Sequence, residues 1–205
     1  MPKINVLPKN VAELIAAGEV VERPASVMKE LIENSIDAGA TEITAEIQRG
    51  GITYMRITDN GCGIESTDVP TAFLRHATSK IKTDKDLDSI GTLGFRGEAL
   101  AAVSSVAKVE MFTRTEDSVE GTHYVIEGSE EKTQEDAGCP KGTTIIIRDI
   151  FFNTPARMKF LKKDVSEGNA VAQVVERIAL SHPEIAFKFI RDGKTVLNTS
   201  GDGNL

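Results

Sequence analysis

KELIENSID, residues 29–37, is the stretch on which both the fold and the candidate site of this chain depend. At about 100° per residue, Glu30, Asn34 and Asp37 fall on one narrow stripe of a helix. The opposite side holds Met28, Leu31, Ile32, Ser35 and Ile36. One helix is therefore expected to pack an apolar face into a core and to present a polar stripe on its other side.

The same pattern predicts a helix from about Pro24 to Ala38. Proline suits the first helical position, and Gly39 is a typical C-terminal stop. The polar stripe has two interpretations. It is either a solvated surface, or a row of oxygen ligands facing a cleft, where a carboxylate and a carboxamide suit a Mg²⁺–phosphate group.

Working outward, a polar turn follows a predicted pair of strands. The strands are expected at about Glu42–Gln48 and Ile52–Asp59, joined across Arg49-Gly50-Gly51. The turn is DNGCGI, residues 59–64. Asn-Gly and Asp are typical of a tight turn. Alternatively, the glycines leave room for a flat ring, and Asp59 accepts a hydrogen bond from an exocyclic amine.

A third candidate is the glycine series Gly91, Gly94 and Gly97, which leads into a predicted helix from Glu98 to about Ser105. Helix N-termini present free N–H groups and a partial positive charge, which bind phosphate. The spacing is neither a Walker A loop nor a Rossmann fingerprint. The long polar approach that starts at Thr78-Ser79-Lys80 favours a functional lid over an ordinary helix entry.

The remaining patterns interleave helices and strands, which predicts an α+β fold: a two-layer α/β sandwich with a mixed, mainly antiparallel sheet. Further helices are expected near the capping pair Asn10 and Glu13, at Asp68–Arg75 and at Ser166–Leu180. Further strands are expected at Lys108–Arg114, Thr122–Glu127, Thr143–Ile150, Phe187–Arg191 and Thr195–Thr199. The acid-rich stretch Glu116–Asp136 predicts a solvated hairpin and loop.

Composition argues against several classes of protein. The formal net charge of −7 argues against a surface made chiefly to grip DNA phosphates. Cys62 and Cys139 are far apart and the three histidines are scattered, so no metal-ligand spacing occurs and a reduced, intracellular protein is expected. No apolar run reaches the roughly 18 residues of a membrane span.

One basic segment, RMKFLKK (residues 157–163), follows FFNTPA (residues 151–156). Its lysines Lys159, Lys162 and Lys163 share a face if the segment is helical. This predicts a solvated basic face, with non-specific DNA contact as the alternative.

In combination and in this order, the motifs resemble one superfamily. The E-x-x-x-N-x-x-D helix, the D-x-G-x-G turn, the Gly-rich lid and the later Gly142-Thr143 pair look like the ATPases of gyrase, heat-shock protein 90, histidine kinases and MutL. Within it, GEVVERPASVMKELIENSIDAGA, DNGCGI, RHATSKI, GFRGEAL and FFNTPARMKFL resemble the MutL proteins of DNA mismatch repair. The resemblance spans Gly18 to Leu161 and implies a Bergerat-type ATP-binding fold, with ATP and Mg²⁺ as ligands.

The resemblance implies a role for each matching residue. Glu30 matches the general base that would align and deprotonate the attacking water. Asn34 matches the Mg²⁺ ligand. Around the adenine ring it places Asp59, Gly61, Gly63 and Thr143. The other nucleotide contacts that it implies are Asp37, Ala38, Thr78, Ser79, Lys80, Gly94, Phe95, Arg96, Gly97, Glu98, Ala99 and Leu100.

The resemblance also implies an organisation for the whole protein. Residues 1–205 would be the N-terminal ATP-binding domain, followed by a transducer domain and a C-terminal dimerisation domain. Family members use a lysine from the following domain, so ATP hydrolysis by this chain alone is expected to be weak. The expected partners are a second copy in an ATP-dependent dimer, a MutS-type mismatch-recognition protein and DNA, bound non-specifically. The expected location is the bacterial cytoplasm, with no membrane.

Two other functions stay open. The first is a nucleotide-gated interaction module that does not hydrolyse ATP. Glu30 favours an enzyme over this module, because a histidine kinase-type site has no carboxylate base at that position. The second is a gyrase-type ATPase, against which FFNTPARMKFL argues.

Overall fold

One mixed sheet organises the chain. In the computed structural model, which describes residues 5–8, 15, 17–80, 93–94 and 97–204, the strands are β1 (Glu42–Gln48), β2 (Tyr54–Asp59), β3 (Lys108–Arg114), β4 (Gly121–Glu127), β5 (Glu130–Ala137), β6 (Gly142–Arg148), β7 (Ala186–Arg191) and β8 (Lys194–Asn198). Their order is β5-β4-β3-β6-β2-β1-β7-β8. Neighbouring strands are antiparallel, except that β1 and β7 are parallel. The predicted mixed, mainly antiparallel sheet is confirmed.

Helices form the second layer. They are α1 (Pro24–Asp37), α2 (Val69–Ala72), α3 (Ala99–Val106), α4 (Pro155–Met158) and α5 (Asp164–Ser181). Helix α1 contacts α5, α3 and β2, while α3 also contacts β3 and β4. The two-layer α+β sandwich is therefore confirmed. Within the described ranges, none of the helices is both long and apolar enough to cross a membrane.

Helix α1 behaves as its periodicity predicts. Its buried residues are Pro24, Ala25, Val27, Met28, Leu31, Ile32 and Ser35. Complete burial of a Met, Leu or Ile side chain stabilises a fold by roughly 1.5–3 kcal/mol. Beyond the helix, Gly39 adopts a φ of 72° and donates its N–H to the carbonyl of Ile36, as expected of a C-terminal stop.

A partly buried ion pair precedes α1. Arg23 precedes the helix, and its Nε and Nη2 lie 3.0 Å and 2.9 Å from Oε2 of Glu167 in the first turn of α5. The other carboxylate oxygen of Glu167 accepts the backbone N–H of Lys162. Glu167 is 1% exposed, and a charge buried in this way needs partners, which these donors supply. The pair sets α1 relative to α5 at the end opposite Asp37.

One strand was not predicted as a strand, although the hairpin that contains it was. The predicted hairpin and loop of the acid-rich stretch contains β5, which pairs antiparallel with β4. Most of its side chains are exposed, because β5 is an edge strand. The apolar alternation that marks a half-buried strand is therefore missing, and only backbone pairing reveals it.

Several element ends differ from the prediction. Strand β2 begins at Tyr54 rather than Ile52, because Arg49–Gly51 forms a 3₁₀ turn with Gly50 at a φ of 72°. Strand β6 ends at Arg148 rather than Ile150, because the next residue, Asp149, has a φ of 53°. The helix predicted over Asp68–Arg75 is limited to α2, and the other predicted strands and helices agree to within two residues.

Two further predictions concern the basic segment after α4 and the helix near the N-terminus. Lys159, Lys162 and Lys163 do not share a helical face, because α4 ends at Met158. The capping pair Asn10 and Glu13 lies outside the described residues, whereas residues 17–20 are helical.

Candidate functional site

The first part of the site is a carboxylate at the end of β2. Asp59 is 8% exposed. Its Oδ2 accepts the Ser35 hydroxyl at 2.8 Å, and its Oδ1 accepts the N–H groups of Gly61 at 2.9 Å and Thr143 at 3.3 Å. Burial outweighs these hydrogen bonds and raises the pKa of Asp59. A carboxylate offers about four acceptor positions, so these donors leave room for one more, such as an amine.

The DNGCGI segment is a tight turn and also a wall of the site. Oδ1 of Asn60 accepts the N–H groups of Thr41 and Glu42, at 2.8 Å and 3.0 Å, which is a structural role. A Cβ at Gly61 would lie 2.9 Å from Cβ of Ala38, and one at Gly63 would overlap the carbonyl oxygen of Arg114. Both interpretations of the segment are thus compatible with its geometry: the turn is built, and its glycines let it pack closely against Ala38 and Arg114.

A row of polar residues crosses the sheet beside Asp59. Asp59 pairs with Thr143 on β6, which pairs with Thr113 on β3. The hydroxyls of Thr113 and Thr143 are 3.0 Å apart. Elsewhere on this helix-facing side the strands carry apolar residues such as Ile57, Ile145 and Met111. The row is therefore a local patch of hydrogen-bonding groups at one edge of the core.

The second part of the site lies on the polar stripe of α1. Nζ of Lys80 is 3.1 Å from Oδ1 of Asn34 and 2.5 Å from Oδ2 of Asp37. The backbone N–H groups of Leu93 and Gly94 each donate to Asp37 at 3.0 Å. Burial opposes ionisation of Asp37, but the hydrogen bonds from Lys80, Leu93 and Gly94 prevail and lower its pKa. The Asp37 end of the stripe is thus covered by Lys80, Leu93 and Gly94 rather than solvated, and its role as a ligand face stays a prediction.

Glu30 lies two turns before Asp37 on the same stripe. Its side chain is 34% exposed, and its Oε1 is 3.8 Å from Nζ of Lys29. Lys29 forms a closer pair, at 2.7 Å, with Glu33 one turn further along. The carboxylate of Glu30 is therefore open to solvent and free to meet a water molecule or a ligand.

The two stems of the predicted lid meet. Gly97 has a φ of 60°, and a Cβ there would overlap the carbonyl oxygen of Ala77. Oε1 of Glu98 accepts a hydrogen bond from Arg75 at 3.3 Å and lies 3.2 Å from Nδ1 of His76. Lid residues 81–92, as well as Phe95 and Arg96, lie outside the described residues. The described stems bring Lys80 and Gly94 to the Asp37 end of α1.

The remaining predicted residues are placed less closely. Oγ1 of Thr78 accepts the N–H of Lys80 at 3.2 Å, and Ser79 is exposed. Ala99 and Leu100 open α3, with Leu100 packed against the core. Ala38 supplies the carbonyl that accepts the N–H of Cys62, and so joins the end of α1 to the DNGCGI turn.

The oxygens of Asn34 and Asp37 are the atoms that could bind the predicted Mg²⁺. No group of three or more His, Cys, Asp or Glu residues that could hold a metal occurs in the described part of the chain. Mg²⁺ commonly uses only one or two protein oxygens and completes its shell with water and substrate phosphates. Asn34 and Asp37 already share one cation, the ammonium of Lys80. Their oxygens thus fit such an ion only if phosphates accompany it.

Two site residues were missed by the sequence analysis. Ser35 was assigned to the core side, where it is indeed buried, but it holds Asp59. Thr113 was unremarked, although it lies at 1% exposure in a strand whose other inward residues, Val109 and Met111, are apolar. A polar residue at an inward strand position was the available signal.

Comparison with known proteins places these features in a family. Residues 22–146 match the family described as histidine kinase-, DNA gyrase B-, and HSP90-like ATPase. The whole chain is 57% identical to the DNA mismatch repair protein MutL of Agathobacter rectalis, and 53% identical to MutL of Thermoanaerobacter pseudethanolicus. It covers 32% and 33% of those proteins, so it spans about a third of the length of the curated relatives it matches.

Solved structures agree with this match. The Aquifex aeolicus MutL ATPase domain complexed with ADP shares the fold with a TM-score of 0.75 and 33% identity, over 89% of this chain and 65% of that one. The N-terminal domain of a DNA repair protein gives a TM-score of 0.77 with 26% identity, over 92% of this chain and 56% of that one.

Proposed function

Because the chain belongs to the histidine kinase-, DNA gyrase B- and HSP90-like ATPase family, and within it matches the ATPase domain of MutL mismatch repair proteins, we propose that it binds ATP with Mg²⁺ and hydrolyses it slowly. Helix α1 carries the proposal. Ser35 holds Asp59 at one part of the site, and the adjacent Asn34 faces the cation at the other. A single rigid element thus sets the spacing between a base-binding carboxylate and a phosphate-bound metal.

Each of the described site residues has its own proposed role in binding ATP. Asp59 accepts the amine of adenine, and the narrow space beside Gly61 and Gly63 admits the ring. Asn34 holds the Mg²⁺, which would neutralise charge on the phosphates. If Asn34 held Mg²⁺, Lys80, which contacts both Asn34 and Asp37 in this structure, would be available to the phosphates.

Glu30 is the proposed general base. It lies on the same stripe as Asn34 and is exposed enough to hold a water molecule. A carboxylate that aligns and deprotonates the attacking water typically contributes at least about 100-fold to the rate. As the resemblance implies, ATP hydrolysis by residues 1–205 alone is expected to be weak.

The experiment measures ATP binding and turnover for the full-length parent protein and for its Glu30→Ala variant, with Glu33→Ala as the control. Glu33 is on the same helix, and its carboxylate is paired with Lys29 at 2.7 Å. Glu30→Ala should bind ATP as the parent does and hydrolyse it at least about 100-fold more slowly, while Glu33→Ala keeps both properties. Background turnover in the parent would favour the module that does not hydrolyse ATP, and equal turnover in both variants would remove Glu30 as the base.

In the whole protein, we propose that ATP binding drives pairing with a second copy and passes the nucleotide state to a MutS-type partner on DNA. The support is the similarity to MutL proteins of mismatch repair. Analytical ultracentrifugation of the full-length protein with and without a non-hydrolysable ATP analogue tests this step. An unchanged sedimentation coefficient would argue against nucleotide-driven pairing.

A further inference from the structure

Asp37 is surrounded by hydrogen-bond donors of the kind that bind phosphate. Its Oδ1 accepts the backbone N–H of Leu93 at 3.0 Å, and its Oδ2 accepts the N–H of Gly94 at 3.0 Å and the ammonium of Lys80 at 2.5 Å. Successive backbone N–H groups that point at one anion form a concavity typical of phosphate sites. A lysine ammonium is a common phosphate ligand as well. A carboxylate of the protein itself therefore takes up a set of donors suited to a phosphate group.

The stability of α1 does not explain a carboxylate at this place. Asp37 is the last residue of α1, where the helix dipole presents a partial negative charge and disfavours a second one. The side chain of Asp37 is 6% exposed, so water compensates its charge little. The donors from Lys80, Leu93 and Gly94 are therefore what makes an ionised carboxylate acceptable at this helix end.

A phosphate that binds to these donors has to displace Asp37 from them. The phosphate and the carboxylate would then lie close together, and two negative charges repel strongly where solvent screens them little. The repulsion is smaller for a phosphate that is bound together with Mg²⁺. The proposed metal ligand, Asn34, is suitably placed for this, because its Oδ1 is 3.1 Å from the same ammonium of Lys80. Asp37 thus penalises a metal-free phosphate more than its metal complex.

We propose that Asp37 is a specificity-determining residue that makes nucleotide binding depend on Mg²⁺. Its carboxylate is an internal competitor of phosphate for Lys80, Leu93 and Gly94. It yields these donors to a nucleotide whose phosphates carry a divalent cation, and it disfavours the same nucleotide without the cation. This inference deepens the proposed function and rests on it.

Two other roles of Asp37 predict different results. A metal ligand would support nucleotide binding only when Mg²⁺ is present. A purely structural anchor of Lys80, Leu93 and Gly94 would support binding with and without the metal. An internal competitor differs from both, because it weakens binding in the absence of the metal.

The experiment titrates the full-length protein with a non-hydrolysable ATP analogue by calorimetry, once with Mg²⁺ and once with excess EDTA. The variants are Asp37→Asn, which removes the charge and keeps an oxygen acceptor, and Glu33→Gln as the matched control. Glu33 lies on the same helix and, like Asp37, pairs with a lysine, Lys29. Tripolyphosphate, which has no base, is titrated under the same two conditions, so that an effect on phosphate is separated from an effect on the base.

In EDTA, Asp37→Asn should bind the analogue at least about tenfold more tightly than the parent, because one contact between like charges is removed. The same gain is expected for tripolyphosphate. With Mg²⁺ the affinity should change far less, so the dependence of binding on the metal should shrink. Glu33→Gln should keep the affinities of the parent under both conditions. If thermal unfolding shows that Asp37→Asn does not fold, Asp37→Ser replaces it, since its hydroxyl is also a neutral acceptor.

Unchanged or weaker binding of Asp37→Asn in EDTA would overturn the role of Asp37 as a competitor. A loss of binding with Mg²⁺ alone would make it a metal ligand instead. A gain for the analogue without a gain for tripolyphosphate would also contradict the inference, because the effect would then not concern phosphate. A parent protein that binds no nucleotide under either condition would overturn the proposed function itself, whereas a parent that binds equally well under both would overturn only this inference.

Discussion

Lys80 and Asp37 form the closest ion pair of the site, with Nζ 2.5 Å from Oδ2. Their side chains are 19% and 6% exposed, so solvent screens the pair little. The lysine belongs to the TSK segment, far along the chain from the helix that carries Asp37. The pair therefore joins the stem of the lid to α1, and it holds a positive charge where the proposed metal would bind.

Lys80→Met should lower the free energy of unfolding by about 1–2 kcal/mol at pH 7, because a hydrogen bond to a charged group is lost. The pKa of Asp37 is lowered in the folded protein. The contribution of the pair is thus present above the ordinary carboxyl pKa and is lost as the pH falls through the lower folded value. Urea titrations from pH 7 down to pH 3 measure this. Lys132→Met, at an exposed pair with Glu130, is the control and should cost almost nothing. An equal cost in both variants, or one independent of pH, would contradict the assignment.

Asn34→Ala should abolish Mg²⁺-dependent ATP binding and leave the fold intact. Asn34 is on the partly exposed stripe, and the side of α1 that packs on the sheet does not include it. Calorimetric titration with ATP, with and without Mg²⁺, gives the affinity, and thermal unfolding reports the fold. Should affinity stay at the parent value, Asn34 is not a ligand of the site.

Asp59→Asn should raise the stability of the nucleotide-free protein at pH 8. Burial raises the pKa of Asp59, so keeping it ionised costs folding free energy. This cost grows as the pH rises from the ordinary carboxyl pKa to the folded value and is constant above it. A neutral amide avoids the cost. It can also keep the existing bonds, because its oxygen accepts the N–H groups of Gly61 and Thr143 while its NH₂ donates to Ser35.

Melting temperatures of the parent and of Asp59→Asn between pH 4 and pH 8 test this. The variant should gain on the parent with increasing pH and should lose ATP binding throughout. A variant that is less stable by the same amount at every pH would show that the carboxylate carries no burial cost.

Gly63→Ala should destabilise the protein by clearly more than Gly193→Ala. Both glycines have positive φ, 74° and 78°. An added Cβ at Gly193 meets nothing within 4 Å, so Gly193→Ala costs only the about 1–2 kcal/mol of placing a non-glycine residue in the left-handed conformation. At Gly63 the added Cβ would also overlap the carbonyl oxygen of Arg114. Gly63→Ala should therefore weaken ATP binding as well. Denaturant unfolding and ATP titration of both variants measure this, and equal costs would exclude the steric account.

The helix face and the strands were predictable because burial of one side of an element requires apolar residues at regular spacing in the sequence. Residues such as Met28, Leu31 and Ile32 recur at helical spacing and are fully buried. The edge strand β5 was not predictable in this way, since its mostly exposed, polar side chains show no apolar alternation and it is joined to the sheet by backbone pairing with β4.

The candidate site residues could be chosen from the sequence, but the hydrogen bonds between them could not be predicted. Asp59 and Asn34 stood out by residue type and by resemblance. The pairing of Ser35 with Asp59, or of Lys80 with Asp37, depends on segments that approach only in the folded chain. A serine on the apolar side of a helix gives no indication of a partner 24 positions away.

The parallel pairing of β1 with β7 limits how far the protein can be trimmed. The family match ends at residue 146, but β7 and β8 begin only at residues 186 and 194. A piece cut before them would turn β1, whose inward residues are Ile43, Ala45 and Ile47, into an open apolar edge. Such edges recruit other chains and aggregate. The smallest piece that stays monodisperse should therefore extend at least to residue 198.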